Sequence, residues 1–226
     1  MLIEEAKWIG KEILSVSKSG QKILNVGSSS LEFRTKIQPH IEKFIFRPLK
    51  ENNIKVIHTD IVNQNGVDIV GDLTSPEFIL KLKKKKYDLI LCSNLLEHIE
   101  EIKPITTAIE EIVSEKGIAI ITVPYNYPYH LDPIDTMYRP NPKELSQLFA
   151  SMKMLSGEIL NARSANYGNF EKNYFQKLLN DPRMFVIIFL RFFLPFYKFK
   201  IWKNNFFGIK NLFKDFSVTC VVLAKK

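Results

Sequence analysis

A chain of 226 residues that is 46% hydrophobic is long enough to bury one substantial core, in the range of a single α/β domain with an appendage. Two cysteines are too few for a disulfide framework, which favours a reducing, cytoplasmic compartment. The net charge of +8 is concentrated near the C-terminus, where residues 161–226 hold 12 Lys and Arg against 3 Asp and Glu. Acids in Met1–Ala6 stand where a secretory signal would carry positive charge, so we expect no export.

Strand-like and helix-like segments alternate along the chain, as in an α/β sheet. Strands are predicted at residues 22–26, 54–60, 67–72, 87–92, 118–123, 152–160 and 216–224. Helices are predicted at residues 2–18, 76–86, 104–115 and 142–150, the third of them capped by Gly117. Residues 31–50 contain Pro39 and Pro48, so any helix there should be short or displaced.

A basic, aromatic-rich insertion at residues 161–215 separates the last strand from the main domain, predicted as residues 1–160 plus 216–226. Its apolar run Met184–Phe196 contains Arg191 and Pro195 and is too short to cross a bilayer. Lysines interleaved with aromatics can stack on nucleobases or lie in a membrane interface. We favour peripheral membrane contact through residues 184–214 over nucleic acid; an amphipathic cap or a homodimer face stays open.

Two polar turns follow strands and predict one ligand pocket. Ile23–Val26 breaks at Gly27 into a serine-rich turn, and the strand ending at Cys92 opens into Ser93–His98. Such turns hold nucleotide-like ligands against exposed backbone amides at the carboxyl edge of a parallel sheet.

Together these features resemble the class I S-adenosylmethionine-dependent methyltransferases over residues 20–160 and 216–225. The resemblance rests on Leu24-Asn25-Val26-Gly27, Asp60, Gly71-Asp72-Leu73, Tyr87-Asp88-Leu89-Ile90 and Leu96-Glu97-His98-Ile99. It implies a Rossmann-like, seven-stranded, mostly parallel sheet with helices on both faces, and S-adenosylmethionine as cofactor. In this chain Asn25 replaces the family's usual acid, and Ser29 and Leu31 replace its later glycines.

The resemblance implies the cofactor-binding residues. They are Asn25, Gly27, Ser28, Ser29, Asp60, Asp72, Leu73, Asn94 and Leu95. Asp60 would accept the ribose hydroxyls, and Asp72 would face the adenine amino group beside the backbone amide of Leu73. Gly27 and Asn94 would line the methionine part, and the serines can donate hydroxyls to its carboxylate.

The segment Val123–Pro140 leaves the fifth strand and should form the acceptor wall. His130 is the best base for an acceptor hydroxyl, with Asp132 or Asp135 to orient it. The same residues could instead hold a divalent metal, or only tie the loop down together with Arg139. We favour the base and predict no resident metal. Glu97 and His98 are read mainly as a polar cap, with acid/base or metal roles open.

The sequence therefore predicts a methyltransferase that acts on a hydroxyl of a sugar or small metabolite near the cytoplasmic membrane face. The loop and the aromatic, basic tail resemble those of methyltransferases in the branch associated with bacterial surface-polysaccharide biosynthesis. Ser93–Leu96 lacks the Asn/Asp-Pro-Pro-aromatic turn of enzymes that methylate base amino groups. The alternatives are a non-catalytic interaction protein that keeps the fold and an RNA methyltransferase.

Overall fold

The computed structural model describes residues 1–130, 134–163 and 215–226. Within these residues seven strands form one sheet in the order β3-β2-β1-β4-β5-β7-β6. The strands are β1 Lys22–Val26, β2 Lys55–Asp60, β3 Ile69–Val70, β4 Tyr87–Ser93, β5 Val113–Asn126, β6 Met152–Arg163 and β7 Asp215–Lys225. Neighbours from β3 to β5 pair in parallel, and β7 runs antiparallel to β5. The predicted Rossmann-like, mostly parallel sheet is confirmed.

The helices connect the strands. They are α1 Ile3–Val16, α2 Pro39–Ile41, α3 Arg47–Glu51, α4 Pro76–Lys83, α5 Ile102–Ile112 and α6 Pro142–Gln147, with π-helical turns at Phe33–Ile37 and Glu42–Phe46 and a 3₁₀ turn at Leu96–His98. No helix of the described residues is long and apolar enough to span a bilayer.

Both faces of the sheet are covered by helices. Alternate strand residues such as Leu24 and Ile90 belong to one buried cluster with residues of α4 and α5. Their neighbours Ile23 and Leu89 are equally buried but point to the opposite face, because successive strand side chains alternate. Helix α1 and the helices of residues 39–51 pack together and supply the second layer.

Local signals fixed the starts of two helices as predicted. Ser75 caps α4 by accepting a hydrogen bond from the backbone amide of Phe78. Asn141 and Glu144 form a complete capping box at the start of α6.

The predicted role of Gly117 as a helix cap is wrong. Helix α5 ends at Ile112, and β5 begins at once, so Gly117 lies inside the strand. The strand bulges here, since Tyr87 pairs with Val113 but Leu89 pairs with Ile118. A Cβ at Gly117 would lie 2.7 Å from the Val113 side chain. A glycine therefore accommodates the close approach of Val113 within the bulge.

The chain divides into two compact units, residues 1, 3–161 and 217–226, and residues 2 and 162–216. Residues 164–214 lie outside the described part of the chain, as do the predicted apolar run and membrane contact at 184–214. The domain division at residues 161–215 therefore stays a prediction.

Candidate active site

The strand order reverses direction at β1, which has β2 on one side and β4 on the other. In open α/β sheets such a switch point leaves a crevice outside the carboxyl ends of the two central strands. The structure places both predicted turns there, Gly27–Ser29 after β1 and Asn94–Leu95 after β4.

The backbone conformation of the first turn favours glycine. Gly27 has a φ of 65°, in the left-handed region that side chains disfavour. A Cβ at this position would lie 2.9 Å from Cδ1 of Leu95 across the crevice. Ser29 also has a left-handed φ of 55°, so the turn keeps a strained shape with a single glycine.

Asp60 ends β2 and reaches the same turn. Its Oδ2 accepts a hydrogen bond from the backbone amide of Ser29 at 2.8 Å, and its Oδ1 accepts one from Val62 at 3.1 Å. Each carboxylate oxygen keeps a second lone pair. The carboxylate is therefore fixed beside the crevice and can still accept two hydroxyls.

Arg34, which the sequence analysis missed, supports the turn from below. The arginine is 3% exposed and donates to the carbonyl oxygens of Ser28 (2.8 Å), Ser29 (2.6 Å) and Gly66 (2.8 Å). Burial lowers the pKa of its guanidinium, which nearby acids partly oppose. Two of these carbonyls belong to the turn after β1, so this one side chain holds the turn in place and links it to Gly66.

The second turn is tied to helix α1 through Glu5, another residue that sequence reasoning missed. The Glu5 carboxylate is 1% exposed and accepts hydrogen bonds at Oε1 from Asn94 Nδ2 (2.8 Å) and Thr122 Oγ1 (2.6 Å). Asn94 has a φ of 49°. Glu5 precedes Ile9 by one helical turn on the buried face of α1, and an acid on an apolar stripe was the available signal.

Three other predicted cofactor residues occupy the edge beside this crevice. The side-chain amide of Asn25 is buried and lies 3.1 Å from Nδ1 of His58, whose pKa is lowered to about 4 by burial and by Arg34. Asp72 is exposed and accepts a hydrogen bond from the amide of Thr74 at 2.8 Å. Leu73 is buried in the core.

The acceptor loop is organised around Asp135. This carboxylate accepts hydrogen bonds from Arg139 Nη2 (2.7 Å) and from the amides of His130 (3.1 Å) and Met137 (2.8 Å). Burial alone would raise the pKa of Asp135, but these hydrogen bonds outweigh it and hold the pKa at about 2. Nδ1 of His130 lies 3.1 Å from Asp135 Oδ2, so the predicted pair is brought together. Asp132 lies outside the described residues.

The turn after β4 packs against this loop. Burial raises the pKa of Glu97 to about 8, and its backbone carbonyl accepts hydrogen bonds from Thr136 N (2.9 Å) and Oγ1 (3.0 Å). Nδ1 of His98 contacts the carbonyl oxygen of Ile134. The rings of His98 and His130 meet edge to face with centroids 5.3 Å apart. Residues from both segments therefore share one cluster.

Comparisons with known proteins bear on the fold. No protein-family model and no curated protein sequence matches the chain. Among solved structures, it matches a candidate sarcosine dimethylglycine methyltransferase from Galdieria sulphuraria with a TM-score of 0.57 and 11% identity, over 99% of this chain and 86% of that one. It matches a SAM-dependent methyltransferase from Archaeoglobus fulgidus with a TM-score of 0.54 and 15% identity, over 99% and 94%.

A third match is phosphoethanolamine N-methyltransferase 2 of Haemonchus contortus, solved with phosphomonomethylethanolamine and S-adenosylhomocysteine. The TM-score is 0.52 at 13% identity, over 98% of this chain and 52% of that one, so the chain spans about half the length of that protein. At these identities the shared property is the fold. The chain has the fold of the class I S-adenosylmethionine-dependent methyltransferases.

Proposed function

We propose that this protein is an S-adenosylmethionine-dependent methyltransferase that methylates a hydroxyl of a sugar or another small metabolite. The observation that carries the proposal is the crevice at the carboxyl edge of the sheet, where Asp60 is hydrogen-bonded to the turn that contains Gly27. A carboxylate fixed beside a glycine turn is the arrangement that binds a ribose next to exposed backbone.

The residues at this crevice fit the cofactor. Asp60 has lone pairs left for the two ribose hydroxyls, and the left-handed backbone of Gly27 presents the turn to the crevice without a side chain of its own. Asn94 and Leu95 would line the methionine part, with Glu5 holding the Asn94 side chain in place. The bound cofactor would supply a sulfonium methyl group for in-line transfer.

His130 is the residue proposed to take the acceptor proton. Its Nδ1 faces two acceptors, Asp135 Oδ2 at 3.1 Å and the Pro128 carbonyl at 3.4 Å, so Nδ1 carries the hydrogen and Nε2 the lone pair. Asp135 remains ionised and supports the positive charge that His130 would gain. Exposed apolar side chains on the same loop, such as Tyr129 and Met137, offer contact surface to the acceptor.

The place of action is the second part of the proposal. The aromatic, basic residues 184–214 favour contact with an anionic membrane surface, where a lipid-carried glycan acceptor would be presented. The same aromatic, basic composition favours a place in the branch of methyltransferases associated with surface-polysaccharide biosynthesis.

A non-catalytic protein that retains the fold is the second candidate. It is favoured by the side chain of Leu95, which lies close above Gly27 in the crevice. The two candidates differ in whether the crevice accepts an adenosyl ligand.

The test is calorimetric titration with S-adenosylhomocysteine. We expect the wild type to bind and Asp60→Asn to bind at least about tenfold more weakly, because the variant weakens acceptance of the ribose hydroxyls, a loss of about 1.4 kcal/mol or more. Asp88→Asn is the matched control, since Asp88 Oδ2 accepts one backbone amide, that of Lys22 at 2.8 Å, at the opposite end of the sheet.

Absence of measurable heat at millimolar ligand would favour the non-catalytic candidate. If the wild type and Asp60→Asn bound S-adenosylhomocysteine with equal affinity, Asp60 would not belong to the cofactor site. The proposal that the protein is a methyltransferase would still stand.

A further inference from the structure

We propose that Glu97, His98 and His130 form a binding site for a divalent cation. Each of the three offers one ligand atom, and the three atoms lie within 4.8 Å of one another. Two of the residues come from the turn after β4 and the third from the acceptor loop, so the site joins the two segments at the carboxyl edge of the sheet.

Glu97 is the residue that most requires a partner. Its side chain is fully buried, and neither carboxylate oxygen accepts a hydrogen bond from another residue that the structure describes. A buried carboxyl group without partners is costly, on the order of 1–3 kcal/mol or more. A cation coordinated by this carboxylate would remove that cost.

His98 presents a free lone pair to Glu97. Because its Nδ1 contacts the carbonyl oxygen of Ile134, an acceptor, the neutral ring has its hydrogen on Nδ1 and its lone pair on Nε2. Nε2 lies 3.7 Å from Glu97 Oε1, too far for a hydrogen bond. Ligands of a tetrahedral zinc ion at 2.0–2.2 Å lie about 3.4 Å apart, so this pair is already spaced to share one ion.

His130 is oriented in the way that metal-binding histidines usually are. Its Nδ1 lies 3.1 Å from Asp135 Oδ2, and Arg139 holds that carboxylate from the other side. A carboxylate behind a histidine fixes the ring and leaves the opposite nitrogen, Nε2, as the ligand. Asp135 is therefore a supporting group and not a ligand.

The ligand types narrow the choice of cation. Two imidazoles and one carboxylate favour zinc and its neighbours cobalt, nickel and iron over magnesium and calcium, which prefer oxygen ligands. Three protein ligands leave a fourth position open, as in zinc sites that act on substrates. The described ligand set therefore fits a zinc-like ion with one exchangeable position.

The cation would change how the acceptor is activated; this consequence rests on the proposed function, whereas cation binding itself does not. A hydroxyl bound at the open position loses its proton more readily, because the cation stabilises the alkoxide. His130 would then act as a ligand, since the same Nε2 cannot both bind the ion and take a proton. In the metal-loaded protein the acceptor hydroxyl would lose its proton to solvent water, and its oxygen would take the methyl group from the sulfonium, leaving S-adenosylhomocysteine.

The experiment measures cation binding directly. The full chain is stripped with a chelator and dialysed against Zn²⁺ or Co²⁺, and bound metal is counted by mass spectrometry. We expect one equivalent per wild-type chain, with affinity falling at least about tenfold in Glu97→Gln and in His98→Gln. His40→Gln is the matched control. His40 is a half-buried histidine that lies outside the cluster, and its Nε2 contacts the Met1 carbonyl.

Co²⁺ should also give the wild type a visible absorption band that His98→Gln lacks. Wild-type binding that Glu97→Gln and His98→Gln both retain, or that His40→Gln loses equally, would overturn the proposal. If Glu97→Gln does not fold, the partly exposed His98→Gln alone decides. Binding of S-adenosylhomocysteine by the same preparations separates this result from the proposed function, since cofactor binding with no cation binding would reject only the cation site.

Discussion

At the residue scale, Glu97 makes stability depend on pH. The pKa of Glu97 is raised from the usual 4.5 to about 8, chiefly by burial and with a smaller contribution from Glu5, while its own backbone amide and Arg139 oppose the shift. Between these values the folded chain holds a proton that the unfolded chain has lost. The free energy of unfolding contributed by this group is therefore complete below about pH 4.5 and declines as pH rises through about pH 8.

Glu97→Gln should remove this decline. One such proton changes the free energy of unfolding by at most about 1.4 kcal/mol per pH unit. We expect urea unfolding in the presence of a chelator to show a shallower loss of stability for the variant between about pH 5 and about pH 8. The exposed Glu100→Gln should keep the wild-type slope. A wild-type slope in Glu97→Gln would mean that Glu97 is ionised in the folded protein.

Single residues also mark the limit of sequence reasoning. Gly27 and Asp60 were predicted from their motifs, and the structure brings them to one edge of the sheet. Arg34 and Glu5 were not predicted, because the partners of Arg34 are backbone carbonyls and those of Glu5 are side chains 89 and 117 residues away. The position of Glu5 on the apolar face of α1 was a signal that something there is unusual, but the contacts themselves leave no spacing pattern in the chain.

At the element scale, the turn after β1 depends on Arg34. Arg34→Met keeps the length of the side chain but removes the hydrogen bonds that Arg34 donates to the carbonyl oxygens of Ser28, Ser29 and Gly66. We expect a loss of about 3 kcal/mol in the free energy of unfolding. Amide exchange of residues 27–30 should rise, and affinity for S-adenosylhomocysteine should fall because the turn is no longer held.

Lys36→Met is the control for this variant. It removes a neighbouring cation that forms an exposed ion pair with Glu32 at 3.5 Å, which contributes little. If the amides of residues 27–30 exchanged at the same rate in Lys36→Met and in Arg34→Met, the turn would keep its shape through its own backbone and not through Arg34.

Element boundaries were predictable where local chemistry sets them. Ser75 and Asn141 start helices through their own side chains, which the sequence displays. Prolines explain why residues 31–50 form several short helices and not one long helix. Pro39 and Pro48 lack the amide that a helix interior needs, and each lies in the first turn of a new short helix. Gly117 was misassigned because a close approach within a strand bulge, set by pairing with another strand, decides its role.

At the scale of the whole molecule, the fold was predictable and the acceptor was not. Alternating strands and helices fix a parallel sheet, and the motif order fixes which strand ends meet. The acceptor depends on a loop with little local periodicity and on residues 164–214, where composition allows more than one partner. Which partner residues 164–214 bind therefore depends on the attraction of their charges to that partner and on how their apolar side chains are solvated.

The last prediction separates a membrane surface from RNA. We expect the full chain to sediment with vesicles that contain anionic lipid and to remain free of neutral ones. Replacing Lys198, Lys200 and Lys203 by glutamine should weaken vesicle binding about a hundredfold, because each lysine near an anionic surface contributes about 1 kcal/mol. Replacing Lys83, Lys84 and Lys85 removes the same charge from the exposed end of α4 and should have a small effect.

The salt dependence completes the argument. Both partners are anionic, so added salt weakens binding to either, but apolar side chains inserted into an interface leave a residual affinity that phosphate contacts alone do not. Vesicle binding that persists in part at high salt therefore supports a membrane partner. RNA binding that falls steeply with salt, with no vesicle binding at any salt concentration, would contradict the membrane proposal. It would instead support the RNA methyltransferase alternative, with the basic residues 161–215 binding RNA.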